Sequence, residues 1–193
     1  MTKALVIVAH PDDETIWMGG FILRYHDWDW TIVSLCREKD KDREPKFRNV
    51  CKLLDAGSYI FDLDDTEEGY FKKITHQDIE ERLMKIDEKN FDYIFTHGDN
   101  GEYGHIRHKQ VSQAVIRIVK EKKLRCKKIY YFSYENSDDG CKARKKSDKY
   151  ISLDDSELQE KKNLIMNVYG FQKNSFEEKT ANSNEAFMIS EIR

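Results

Sequence analysis

The run Ala9-His10-Pro11-Asp12-Asp13-Glu14 sets one imidazole and two adjacent carboxylates directly after the apolar stretch Ala4-Leu5-Val6-Ile7-Val8. Imidazole beside carboxylate is donor chemistry for a divalent metal ion, and a further carboxylate at the same place can take a proton from a water. The apolar stretch has the length and β-branched content of a buried parallel strand. A strand that ends in this way delivers its polar groups to the carboxyl edge of a sheet, where open α/β sheets bind their ligands. Pro11 fixes its own φ and restricts His10, stiffening the turn. These residues read as the start of a metal hydrolase.

A second group lies about ninety residues on. The strand predicted over 91–96 runs into His97-Gly98-Asp99-Asn100-Gly101-Glu102-Tyr103-Gly104-His105, and His105 and His108 open a stretch with helical apolar spacing at Val111, Val115, Ile118 and Val119. Positions i and i+3 share a helix face. Four of the six histidines thus fall just past a predicted strand.

The Ala-His-Pro-Asp-Asp-Glu run followed by Gly-His-x-x-His resembles the PIG-L/LmbE-like superfamily of zinc-dependent de-N-acetylases over roughly the first 120 residues. The resemblance implies that His10, Asp13 and His108 are metal ligands and that Asp12 is the general base. It also implies that His105 stabilises the oxyanion or protonates the leaving group, which calls for a protonated ring. The implied activity is removal of an acetyl group from a small N-acetylated amino sugar or its conjugate. Two nitrogens and one oxygen suit Zn2+, while Fe2+, Mn2+ and Co2+ accept the same ligands.

Two departures stand out. Relatives often carry an aspartate inside the second motif, where this chain has Ile106-Arg107, so another acid must orient His105; Asp92, Asp99 and Glu102 are the candidates. Relatives also often show an arginine with a glutamate three residues on, and here Arg43 is followed by Lys46. Arg43 is either a contact to a substrate hydroxyl or phosphate, or a solvated helix start. Tyr103 is either a further oxyanion donor or a packed loop aromatic. Glu14 suits the first turn of the next helix, where negative charge opposes the macrodipole.

The elements that must hold these groups alternate. Strands are expected near 3–9, 31–36, 58–63, 91–96 and 128–134, with a weaker one near 149–153. Helices are expected near 14–26, 43–56, 75–89, 105–121 and 154–169. This alternation implies an α/β, Rossmann-like, mostly parallel sheet with helices on both faces, and 193 residues suit a single domain over 1–193. Residues 136–149 read as a charged loop, and 170–193 as a polar tail that covers the rim of the site or frays. The loops 37–46, 64–74 and 136–149 are expected to set the substrate.

Charged residues make up 36% of the chain, yet the net charge is only −3, which argues against a dedicated nucleic-acid surface. No apolar run reaches membrane-spanning length. The four cysteines lack C-x-x-C spacing and read as reduced thiols of a cytoplasmic protein. Oligomeric state is not legible. One rival motif, Phe61-Asp62-Leu63-Asp64-Asp65-Thr66, resembles the opening signature of haloacid-dehalogenase-like magnesium phosphatases, with Asp62 as nucleophile. A third possibility is a sugar- or metal-binding module that has lost turnover.

Overall fold

Aliphatic and β-branched residues fill both faces of β1 (Lys3–Val8), which is buried at every position after its first. Such a strand needs neighbours on both edges and helices above and below. In the computed structural model, which describes residues 1–66 and 74–192, it has them. β1 pairs in parallel with β2 (Asp29–Ser34) on one edge and β4 (Tyr93–Thr96) on the other. β3 (Gly57–Ile60) continues the sheet beyond β2, and β5 (Lys128–Phe132) beyond β4, all parallel. The chain therefore winds one way from β1 to β3 and the other way from β4 to β5. The crevice between β1 and β4 is the switch point at which such sheets bind ligands.

Two apolar layers cover the sheet. One lies under α1 (Asp13–Arg24) and α2 (Arg43–Leu53) and includes Trp17, Phe21, Phe47 and Phe95. The other lies under α3 (His76–Leu83) and α4 (Ile106–Lys120) and includes Leu83, Ile94, Val111, Val115 and Ile118. This is the α/β class and layering that the alternating pattern predicts. No helix of the described residues is long and apolar enough to cross a membrane.

The C-terminal third departs from the expectation. The stretch read as a charged loop contains a hairpin, β6 (Tyr134–Ser137) with β7 (Gly140–Ala143), turning through Gly140 at φ 100. Asp139-Gly140 is a hairpin signal that the density of charge hid. The stretch read as a polar tail supplies the long strand β9 (Asn184–Glu191), which runs antiparallel between β5 and β8 (Lys149–Ser152) and completes seven strands. The helix expected over 154–169 is α5 (Asp155–Asn163), followed by a π-helical turn over Leu164–Val168. The short helix α6 (Phe176–Thr180) follows. Of the expected substrate loop at 64–74, residues 67–73 lie outside the described residues.

α1 is kinked at Met18, whose φ is −149. The kink releases backbone N–H groups that the buried Glu185 of β9 collects: Gly20 donates at 2.8 Å and Phe21 at 2.7 Å. Lys161 of α5, itself fully buried, neutralises that carboxylate at 2.8 Å. Gly20 leaves room here for Leu153, whose side chain would lie 2.3 Å from a Cβ and have to shift.

Candidate metal centre

The two strands at the switch point end side by side and aim their following residues into one crevice. His10 lies two residues beyond β1, Asp13 opens α1, His97 follows β4 directly, and His108 sits on the first turn of α4. His97 and His108 are fully buried, and Asp13 nearly so. Three donor atoms form a triangle: His10 Nδ1 to Asp13 Oδ2 is 3.2 Å, Asp13 Oδ2 to His108 Nε2 is 3.4 Å, and His108 Nε2 to His10 Nδ1 is 3.4 Å.

Their partners decide which way the lone pairs face. His97 Nε2 accepts the Ala9 N–H at 3.0 Å, so its proton resides on Nδ1 and goes to Glu102 at 3.0 Å. Glu102 also takes the His108 Nδ1 proton at 2.5 Å and the Gly98 N–H at 2.7 Å. His108 therefore presents a bare Nε2 to the triangle. His10 gives its Nε2 proton to Asp65 at 3.0 Å, which turns the Nδ1 lone pair inward. Asp13 is held through its other oxygen by the Trp17 indole N–H at 2.8 Å. Three electron pairs thus converge with no proton between them, an arrangement that a cation relieves. Without a cation a proton does so instead: burial opposes it, but Asp13 and Asp65 lift the His10 pKa to about 10.

The arrangement passes a geometric test for a metal site. Four-coordinate zinc with bonds of about 2.05 Å holds its ligands about 3.3 Å apart, and the observed edges run from 3.2 to 3.4 Å. The residues present fit a divalent ion on His10, Asp13 and His108. His97, also close enough to belong to a donor group, has its free nitrogen occupied by Ala9 and supports the site instead.

Glu102 answers the question of the missing aspartate differently from the expectation. It fixes His108 and His97 rather than His105. Its backbone carries φ 56, unusual for a side chain of this kind, and the three hydrogen bonds it receives hold it there. Burial would raise its pKa, yet the two imidazoles hold it down to about 2.

Asp12 is the second residue in a rare backbone state, at φ 115. It occupies the N-cap of α1 but makes no side-chain cap bond; the buried Glu14 accepts the Asp12 N–H at 3.1 Å in its place. The Asp12 carboxylate is left to face the pocket, where Arg43 Nη1 donates to it at 2.7 Å. Burial and the charge of Asp13 push its pKa well above the usual carboxylate range, against the pull of Arg43. Arg43 in turn lies 4.4 Å over the Phe171 ring.

His105 packs its ring against His108 and His10, with centroids 4.5 Å and 4.9 Å away. Burial, and then the charges of those two rings, push its pKa down to about 3. That direction favours a neutral ring able to donate an N–H, whereas the expectation calls for a protonated one. Tyr103 lies 5.5 Å from His105 and stacks on Trp17 at 6.3 Å. The resulting pocket has a volume of about 250 Å³, with Asp12, Asp13 and His10 on its floor and Arg37, Arg43, Tyr103 and Phe176 on its walls.

Two signals were missed or misassigned in the sequence. Asp65 belongs to the run that resembles a phosphatase signature, yet it serves His10 and receives Arg37 at 2.7 Å. Asp62 of that run is a partly exposed carboxylate paired with Lys39 and Arg82, outside the pocket described above. The loop 136–149 contributes nothing to the lining among the described residues; Phe176 and Glu177 of α6 do.

Several known proteins resemble this chain. The mimivirus protein L374 of Acanthamoeba polyphaga mimivirus, uncharacterised, is 30% identical over 134 residues, 59% of this chain and 56% of its own length. The chain thus spans little more than half of that relative. Among solved structures, the 4-carboxy-2-hydroxymuconate hydratase GalB of Pseudomonas putida superposes with a TM-score of 0.68 at 14% identity, covering 100% of this chain and 98% of GalB. The A40926 pseudoaglycone deacetylase Dbv21 gives 0.61 at 16% identity over 98% of both chains. A deacetylase of teicoplanin biosynthesis gives 0.61 at 11% identity, covering 88% of this chain and 84% of its own. At these identities the likeness is one of fold. The family described as PIG-L, GlcNAc-PI de-N-acetylase, matches residues 5–119, which hold every residue of the triangle and its supports. With well over half its length inside that match, the chain belongs to the PIG-L family.

Proposed function

We propose that this protein is a metal-dependent amide hydrolase that removes the acetyl group from an N-acetylated amino sugar or its conjugate. The observation that carries the reading is the triangle of lone pairs on His10, Asp13 and His108 with the carboxylate of Asp12 next to it. The edges favour four-coordinate zinc over octahedral coordination, whose edges would be about 3.0 Å. Such an ion, when bound, supplies Lewis acidity toward water and an amide carbonyl.

The remaining roles fall to side chains. Asp12, with its raised pKa, takes a proton from the attacking water as oxygen bonds to the acetyl carbon. The neutral His105 gives its N–H to the carbonyl oxygen as negative charge gathers there. The carbon–nitrogen bond breaks, the amine nitrogen takes the proton from Asp12, and acetate leaves. Arg43 keeps the Asp12 carboxylate aimed and offers its remaining N–H groups to a sugar hydroxyl. Tyr103 closes the aromatic side of the pocket.

The test is acetate release from a panel of N-acetylated amino sugars, after chelation and after returning Zn2+, Fe2+ or Mg2+. Release that disappears on chelation and returns with a transition metal supports the reading. Because the fold also carries a hydratase, ligand binding without acetate would point to another reaction at the same centre.

A further inference from the structure

The match to the PIG-L family ends at residue 119, but the pocket does not. Its outer wall includes Phe176 and Glu177 of α6. Phe176 is 38% exposed although it is a large aromatic, and its ring meets Tyr103 edge-on at 5.0 Å. Tyr103 in turn stacks on Trp17, so the three rings form one connected aromatic run in the pocket lining. The same lining holds two ion pairs, Arg43 with Asp12 and Arg37 with Asp65.

Size and charge both narrow what fits. A volume of about 250 Å³ lies below the roughly 300–1,000 Å³ of sites for drug-sized ligands, and takes one pyranose ring with any attached group outside. The lining carries four carboxylates, Asp12, Asp13, Asp65 and Glu177, to two arginines, and a divalent ion on the floor would make up the difference, so the loaded pocket is balanced for a neutral ring. Removing the Glu177 charge would leave it net positive.

We propose that Phe176 and Glu177 are the specificity-determining residues of this site, Phe176 as a flat platform under one sugar ring and Glu177 as a carboxylate that bonds ring hydroxyls and turns away anionic sugars. The proposal rests on the reading of the site as one for N-acetylated amino sugars. A ring's apolar C–H face packs against an exposed aromatic face, and a carboxylate at the mouth repels phosphate or carboxylate on the same ring.

The experiment uses the zinc-loaded full chain and measures, in the same samples, calorimetric binding and acetate release for N-acetylglucosamine and its 6-phosphate. Phe176→Ala should raise Kd and KM about tenfold with kcat within about threefold and metal content unchanged. Phe176→Leu, which keeps apolar contact with Tyr103 but loses the flat ring, should show most of the same loss. Glu177→Gln should shift the preference toward the phosphorylated sugar about fivefold. Unchanged Kd in both Phe176 variants, or unchanged preference in Glu177→Gln, overturns the assignment while leaving acetate release by the parent intact. Binding by the parent without acetate release removes the deacetylase reading and leaves the rim assignment standing. Neither binding nor release with either sugar overturns both.

Discussion

The floor of the pocket and its rim are made from different parts of the chain and under different constraint. Beneath the floor, His97, Glu102 and His108 are buried to within 1% of complete exclusion, and their hydrogen bonds interlock. Asp12 and Glu102 hold backbone angles that cost energy, which persists only where the surroundings over-determine it. On the rim, Phe176 keeps 38% of its surface exposed and rides on a helix of five residues. A reaction centre tolerates little displacement of its donors, whereas a rim that only selects can be replaced piecemeal. On the proposed reading, the contrast teaches that chemistry and choice of substrate can be altered separately in this molecule.

The largest effect should come from the floor. His108→Ala deletes one corner of the triangle, so bound metal after dialysis should fall from about one equivalent to below a tenth, and turnover with it; retention of one equivalent at unchanged affinity would show that the ligands lie elsewhere. Asp12→Asn should keep the metal but lower kcat by about 10²–10⁴-fold, and near-full turnover would sink its role as base. Glu102→Gln leaves all ligands in place and disturbs only their orientation, so metal affinity should drop about 10–100-fold, as read by competition with a chelator. Because His10 binds a proton up to about pH 10 in the ion-free protein, metal entry must expel it. Between pH 6 and 8 affinity should therefore rise with pH, by about tenfold per unit; a flat profile would contradict the two-carboxylate clamp on His10. Smallest on this scale, Glu177→Gln should leave metal content untouched, and a loss of metal there would erase the separation of floor from rim.

How much of this could be read in the sequence follows from distance along the chain. His10, Asp12 and Asp13 were legible because they adjoin the strand that positions them, and His105 and His108 because they open a helix with clear apolar spacing. Asp65 was not, since its contact with His10 spans 55 residues and depends on β3 and β1 being separated by β2 alone. Glu102 is a candidate for orienting His105 by its place in the loop, but only the fold turns its carboxylate toward His97 and His108. β9 was hidden for a different reason. Its apolar residues, Ala186-Phe187-Met188-Ile189, form a short run in a polar context, and an antiparallel strand arriving from far downstream has no local partner to announce it.

That same strand bears on how the molecule comes to be assembled. Glu185 binds backbone groups 164 and 165 residues earlier, within the helix that begins with Asp13. A ribosome delivers the residues of the floor well before those that steady the helix beneath it. Contacts of such long sequence separation form late and slowly, so a nascent chain halted before residue 184 would have the whole proposed ligand set in hand and a helix with nothing to receive its two released N–H groups. The proposed competence to bind an ion would then ripen only after synthesis had passed β9, which places a delay between making those residues and making the folded site.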